Sequence, residues 1–208
     1  MLLDFTALDR RSAYFWMAST IAPRPVAWVS TISGRGLTNL APFSFFQMIA
    51  PDPPTLMICP QHNEDGSLKD TARNIQETGE FVVNLVSYPM VEQMNATSFA
   101  FAEGTSEFEQ VGIVSSRSHA IAPPRVTDSP MAFECRLASF QLYPPTTPTC
   151  VIILGEVVAA HVDPSIVGAD GAVDPVRLDL VSRMGADWYG RTKSDANFSL
   201  VRPTGWAR

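Results

Sequence analysis

Two short stretches of the chain hold residues whose types and spacing could bind a small molecule. The first runs Pro23-Arg24-Pro25-Val26-Ala27-Trp28-Val29-Ser30-Thr31-Ile32. After a glycine-containing turn it continues as Asn39-Leu40-Ala41-Pro42-Phe43-Ser44-Phe45-Phe46. Hydroxyls at Ser30 and Thr31 and the amide of Asn39 offer hydrogen bonds. Trp28, Phe43 and Phe45 offer apolar walls, and the combination suits a flat aromatic ligand. A plain hairpin whose aromatics fill the core is the competing reading. The second stretch, Ser67-Leu68-Lys69-Asp70-Thr71, opens a helix. Free peptide N–H groups and the helix dipole favour an anion at such a start, so Lys69 and Thr71 could hold a phosphate. The competing reading there is a solvated helix start with Asp70 complementing the dipole.

Other chemistries find little support. Ser33-Gly34-Arg35-Gly36-Leu37-Thr38-Asn39 contains a GxG, but Asn39 stands where a dinucleotide fingerprint needs its third glycine, and no long helix pattern follows. A hairpin turn is the better reading. The chain has neither a G-x-x-x-x-G-K-[ST] phosphate loop nor a G-x-S-x-G nucleophile elbow. His62, His119 and His161 are dispersed without metal-ligand spacing, so no metal site is expected. Cys59, Cys135 and Cys150 form no CxxC and read as reduced core residues of a cytoplasmic protein. The net charge of −6 gives no electrostatic footprint for nucleic acid. The N-terminus, with Asp4 interrupting its apolar start, does not read as a signal peptide, and no apolar run approaches a membrane span.

The elements that must position these residues read as mostly strands. With 17 Pro and 12 Gly, the chain is cut into short apolar segments rich in β-branched residues. Expected strands are Val26–Ile32, Thr55–Cys59, Phe81–Ser87, Ala132–Tyr143 and Cys150–His161. In Ala132–Tyr143, Phe133, Cys135, Leu137 and Ser139 alternate with Glu134, Arg136 and Ala138, the period of a half-buried strand. One helix is well signalled: Ser67 and Asp70 form an S-x-x-D capping pattern, Leu68, Ala72 and Ile75 share a face, and Gly79 is placed to end it. A shorter helix is expected from Pro89 to about Ala96, with Val91 and Met94 inward. Strands outnumber helices without alternating regularly, which points to a mainly β closed barrel with peripheral helices, in one domain spanning residues 1–208.

Taken together, the strings APRPVAWVSTISGRGLTNLAPFSFF, PDPPTLMIC and DGSLKDTARNIQETGEFVVNLV resemble the flavin reductase-like, FMN-binding split-barrel family. The likeness continues through TSEFEQVGI, DSPMAFECRL and RMGADWYGR, from Tyr14 to Arg191. The resemblance implies a six-stranded Greek-key split β-barrel with FMN near a homodimer interface. It implies flavin contacts at Ser30, Thr31, Asn39, Leu40, Ala41 and Ser44, and phosphate contacts at Ser67, Lys69 and Thr71. It adds Arg183, Gly185 and Tyr189, although many relatives carry two glycines where this chain has Gly185-Ala186. Trp188, Tyr189 and Trp206 are candidates to cover apolar surface on a partner copy. The implied activity is reduction of FMN by NADH or NADPH, with a flavin-dependent monooxygenase or another electron acceptor as the implied partner. An electron carrier of the flavoredoxin kind and a non-enzymatic FMN-binding protein are the alternatives. The flavin carries such chemistry, so no catalytic side chain is named.

Overall fold

Two rows of side chains on one strand set the architecture. In the strand Ala27–Ile32, Ala27 and Val29 point into one hydrophobic cluster, and Trp28 points into another. A sheet covered on both faces follows from that double burial, and it explains why this strand reads as nearly continuous apolar sequence. The computed structural model describes residues 1–102, 104–192, 195–198 and 200. Trp206 lies outside them.

In chain order the elements are α1 (Arg10–Thr20), β1 (Arg24–Pro25), β2 (Ala27–Ile32), β3 (Thr38–Phe43), β4 (Phe46–Pro51), β5 (Pro54–Ile58), α2 (Asp70–Thr78) and β6 (Glu80–Leu85). A 3-10 turn at Tyr88–Met90 then leads into α3 (Val91–Ala96). After it come α4 (Glu107–Val111), β7 (Ser115–Ser116), β8 (Arg125–Val126), β9 (Met131–Tyr143), β10 (Cys150–Val162), α5 (Pro175–Leu178), β11 (Val181–Gly185) and β12 (Trp188–Arg191). The main sheet has seven strands in the order β3-β2-β6-β9-β10-β5-β4, all antiparallel. The expected count was six. The difference is a single interruption: Ser44 and Phe45 divide the run from Thr38 to Pro51 into β3 and β4, which become the two edges. Those edges meet through the chain and not through a ladder, which makes the barrel split. A three-stranded sheet, β1-β11-β12, and the pair β7-β8 lie apart from it.

The barrel interior is filled by Val29, Ile58, Phe81, Val83, Cys135, Val151 and Ile153, with α2 plugging it through Ala72 and Ile75. Those two α2 residues and half-buried Leu68 follow the spacing expected of the helix face. Gly79 ends α2 in the left-handed conformation at φ 73°. At its start, the S-x-x-D reading is corrected. Lys69 is the N-cap residue and makes no side-chain cap bond, while the Ser67 hydroxyl donates to Asp65 at 2.6 Å in the preceding turn. Gly155 on β10 is required by close approach: a Cβ there would sit 2.3 Å from Cζ of Phe81.

On the opposite face, Trp28, Leu40, Val86, Met94, Phe108 and Val181 form the second cluster. Polar residues buried on that face are matched by segments lying over it. Asn84 donates to the Trp28 carbonyl at 2.9 Å and accepts from the Val126 N–H at 2.8 Å. Glu134, expected on the solvated side of its strand, is fully buried there. It accepts from the His119 and Ala120 N–H groups at 2.6 and 2.7 Å and pairs with His161 at 2.6 Å.

Candidate functional site

β3, the start of α2, the chain after α3 and the start of α4 line an open cavity of about 600 Å³. Its polar side is made by Asn39 on β3, Asn63, Ser67, Lys69, Thr71 and Glu107, with Ala41 of β3 between them and the apolar wall. Phe43, Phe99 and Phe101 supply its apolar side, the last two packed edge-to-face with ring centroids 5.0 Å apart. A second cleft of about 360 Å³ shares Pro42, Phe43 and Ser98 with the first. Ser44, Asn95, Arg183 and Tyr189 line it, and the Arg183 guanidinium lies 4.7 Å from the centre of the Tyr189 ring. Both volumes fall in the range that holds a drug- or cofactor-sized ligand.

The polar wall is held in place from below. The Asn39 amide donates to Thr71 Oγ1 at 2.9 Å, tying β3 to the first turn of α2. One turn on, the Asn74 amide donates to Thr31 Oγ1 at 3.0 Å, tying α2 to β2. These bonds fix the helix start against the sheet. Because Lys69 provides no cap, the peptide N–H groups of the first turn remain for solvent or a ligand. The Lys69 ammonium is exposed and donates to Asn63 Oδ1 at 3.2 Å. Asp70 is paired with Arg73.

The sequence-derived residues divide into four groups. Asn39, Ala41, Ser67, Lys69 and Thr71 come together in the larger cavity, and Ser44, Arg183 and Tyr189 in the adjoining cleft. Ser30, Thr31 and Leu40 lie beneath, each fully buried. The Ser30 hydroxyl donates to the Pro124 carbonyl, Thr31 accepts from Asn74, and the Leu40 side chain belongs to the second hydrophobic cluster. Gly185 turns elsewhere. It has φ 105°, and a Cβ on it would lie 2.8 Å from Cα of Ser19, so this glycine serves close packing on the end of α1. Two of the expected apolar walls are also displaced. Trp28 is buried, donating from Nε1 to Thr97 Oγ1 at 2.8 Å, and Phe45 lies against Tyr14 of α1. Phe99 and Phe101 take their place, in a segment that carried no periodic signal.

Glu107 is the functional-site residue that sequence reasoning missed. It opens α4, is only 8% exposed, and accepts from the Leu40 N–H at 2.9 Å. Burial pushes its carboxyl above the usual glutamate range; the Leu40 N–H works against that, and the nearby Asp70 adds to it. The only sequence cue was its place in TSEFEQVGI. The cysteines are free, with Cys135 buried and Cys59 and Cys150 half-buried. Burial, with Cys150 alongside, pushes the Cys59 thiol up to about 12. Among the described residues no group of three or more His, Cys, Asp or Glu is placed to hold a metal ion, and no helix is long and apolar enough to cross a membrane.

A mainly β split barrel carrying an uncapped helix start beside an aromatic-walled cleft defines the class of fold. Residues 17–175 match the model of the flavin reductase like domain, and the chain belongs to that family. A protein of Deinococcus radiodurans is 37% identical over 97% of this chain and 89% of its own length, and one from Aquifex aeolicus is 36% identical over 87% and 90%. Among solved structures, nitrilotriacetate monooxygenase component B from Bacillus cereus aligns with a TM-score of 0.90 at 29% identity, covering 96% of this chain and 98% of its own. The 2-nitrobenzoate 2-nitroreductase of Pseudomonas fluorescens aligns with a TM-score of 0.87 at 30% identity, covering 100% and 99%.

The residues present fit a flavin mononucleotide. An uncapped helix start with a lysine at its cap position matches a phosphate in charge and donor type. Apolar surface at Phe43, Phe99 and Phe101, with amides and hydroxyls at Asn95, Ser44 and Ser98, matches a planar ring with polar edges.

Proposed function

We propose that the protein binds FMN across the two adjoining clefts and works as an oxidoreductase that draws electrons from NADH or NADPH. The observation that carries this reading is the uncapped start of α2, held by the Asn39–Thr71 bond beside the aromatic wall. Lys69 and the first-turn N–H groups hold the phosphate, with Thr71 and Ser67 beside them. Phe43, Phe99 and Phe101 exclude water from the ring, and Ser44, Arg183 and Tyr189 orient its far end. A bound flavin supplies hydride acceptance from a nicotinamide and electron release to an acceptor, and this chemistry asks no side chain for a general base. The likeness to a monooxygenase component supports a flavin-dependent monooxygenase as the downstream acceptor.

The functional unit is a cytoplasmic homodimer of one domain per chain. Exposed apolar side chains on α1 (Tyr14, Phe15, Met17) and on β4 (Met48, Ile49) support a second copy as what covers apolar surface. Trp188 is 76% exposed and adds to the apolar surface, whereas Tyr189 packs partly on its own chain's second cluster.

Anaerobic mixing of FMN-loaded protein with NADH, with NADPH and with dithionite tests the activity. Bleaching of the visible flavin band by a nicotinamide is the expected result. Bleaching by dithionite alone removes the reductase reading and leaves an electron carrier or a storage protein.

A further inference from the structure

The cavity assigned to the phosphate also holds carboxylates, and their charge has to be accounted for when a dianion enters. Glu107 and Asp70 both line it. Asp70 is paired with Arg73, and its charge still acts on Glu107. Glu107 has no ion-pair partner among the described residues. The other charged side chains described at the cavity are Lys69, at the N-cap of α2, and Asp70 and Arg73 in its first turns. The side chains that β3 and residues 97–101 bring to the cavity are uncharged, Asn39, Ala41, Thr97, Ser98 and the two phenylalanines among them. On its own element, Glu109 is exposed. Burial disfavours the ionised form of this carboxyl, and a phosphate in the same cavity disfavours it further.

Resting on the FMN reading above, we propose that Glu107 takes up a proton when the phosphorylated flavin binds, so that the site admits a phosphate dianion together with one proton from solvent. The bond to β3 survives this change. A protonated carboxyl still offers its carbonyl oxygen to the Leu40 N–H, and its O–H becomes a donor within the cavity. Burial already raises the affinity of Glu107 for that proton before any ligand arrives. Glu107 thereby becomes a specificity-determining residue. Neutral, it tolerates or donates to a phosphate, and ionised it opposes one, while riboflavin, which has no phosphate, is indifferent to its state.

The test is proton uptake on titrating the whole wild-type protein with FMN and with riboflavin at pH 8 in weakly buffered solution containing a pH indicator. FMN is expected to draw up to one proton per flavin bound, and riboflavin none. Between the titration of Glu107 in the free protein and its higher titration in the loaded protein, FMN affinity should fall towards tenfold per pH unit, as expected when one proton is taken up with the ligand, and it should level off above that window. Glu107→Gln should abolish the uptake and flatten the FMN affinity between pH 7 and pH 9. Uptake that persists in the variant places the proton on the phosphate and overturns the proposal, as does FMN binding to wild type without uptake. Failure of wild type to bind FMN, or equal affinity for the two flavins, defeats the phosphate reading itself and is told apart by the binding curve. Should the variant not fold, the infrared difference spectrum of wild type on adding FMN decides: a new protonated-carboxyl band supports the proposal, and its absence overturns it.

Discussion

Replacing Lys69 by alanine separates the phosphate contribution from everything else the site does. Lys69 is exposed, sits at the cap position of α2 and makes no cap bond, so its side chain does not hold the helix. Its loss should change stability by less than about 0.5 kcal/mol, the range of a surface substitution. A charge-assisted hydrogen bond to phosphate contributes about 1.5–3 kcal/mol. Lys69 gives up its 3.2 Å bond to Asn63 to make that contact, and it works in solvent, so the lower end applies. About 1.5 kcal/mol is roughly a tenfold loss of FMN affinity, at about 1.4 kcal/mol per decade. Riboflavin affinity should not change. Quenching of flavin fluorescence reads both constants, and the gap between wild type and variant should shrink as salt rises. Equal losses for FMN and riboflavin, or a melting temperature lowered by many degrees, would refute the assignment.

Asn39→Ala leaves the Thr71 hydroxyl without its buried partner; a loss of about 1–3 kcal/mol is expected in urea unfolding, with weaker binding of both flavins, because the helix start is no longer held. Gly155→Ala drives a methyl into the Phe81 ring and should lower stability by about 1–3 kcal/mol, read as about 2–4 °C in melting temperature per kcal/mol. Burial pushes the Glu134 carboxyl up, but the His119 and Ala120 N–H groups and His161 outweigh it and bring it below the usual range. A depressed folded-state value adds stability above the ordinary glutamate range and loses it as pH falls through the depressed value. Glu134→Gln should therefore flatten the acid limb of a stability–pH curve. Glu107 has the opposite sign. Its raised value adds stability below the ordinary glutamate range, lost as pH rises through the raised value, so in ligand-free protein Glu107→Gln should remove that decline.

The parts of the fold that were legible in the sequence are those where pattern and punctuation agree. The five strands, the α2 face and its Gly79 stop follow from periodicity and backbone freedom, which are local properties. What escaped was decided by tertiary contacts. α1 is a helix begun by Asp9, whose carboxylate accepts from the Ser12 N–H at 2.8 Å. Much of its surface carries exposed apolar side chains, so its sequence lacks the amphipathic rhythm of a helix docked on a core. Glu134 looked solvated because alternation was read as one face buried and one wet, whereas the segment through His119 and Ala120 covers the second face. The site residues on β3 and at the start of α2 were legible as donors and walls. Their division into cavity and foundation was not, because Ser30 and Thr31 turn away only once Pro124 and Asn74 are brought to them.

The same edge strand ties the fold to the site. β3 ends the main sheet, so alternate N–H groups along it have no ladder partner. Leu40 stands opposite Ser30 in the register but gives its N–H to Glu107, which places position 40 among the outward-facing ones. Position 42, two residues on, faces the same way and is a proline, which has no N–H to satisfy. An edge closed by a buried carboxylate at one position and by a proline at the next does not recruit another strand. It leaves the intervening Ala41 and the neighbouring Asn39 and Phe43 to line a cavity. Glu107 thus has two tasks that make opposite demands on charge. As an acceptor for Leu40 it can be ionised or neutral, whereas the proposed proton uptake requires it to be neutral beside a phosphate. A glutamine meets the first demand and fixes the second. The variant should therefore keep the edge closed while losing only the dependence of FMN binding on pH.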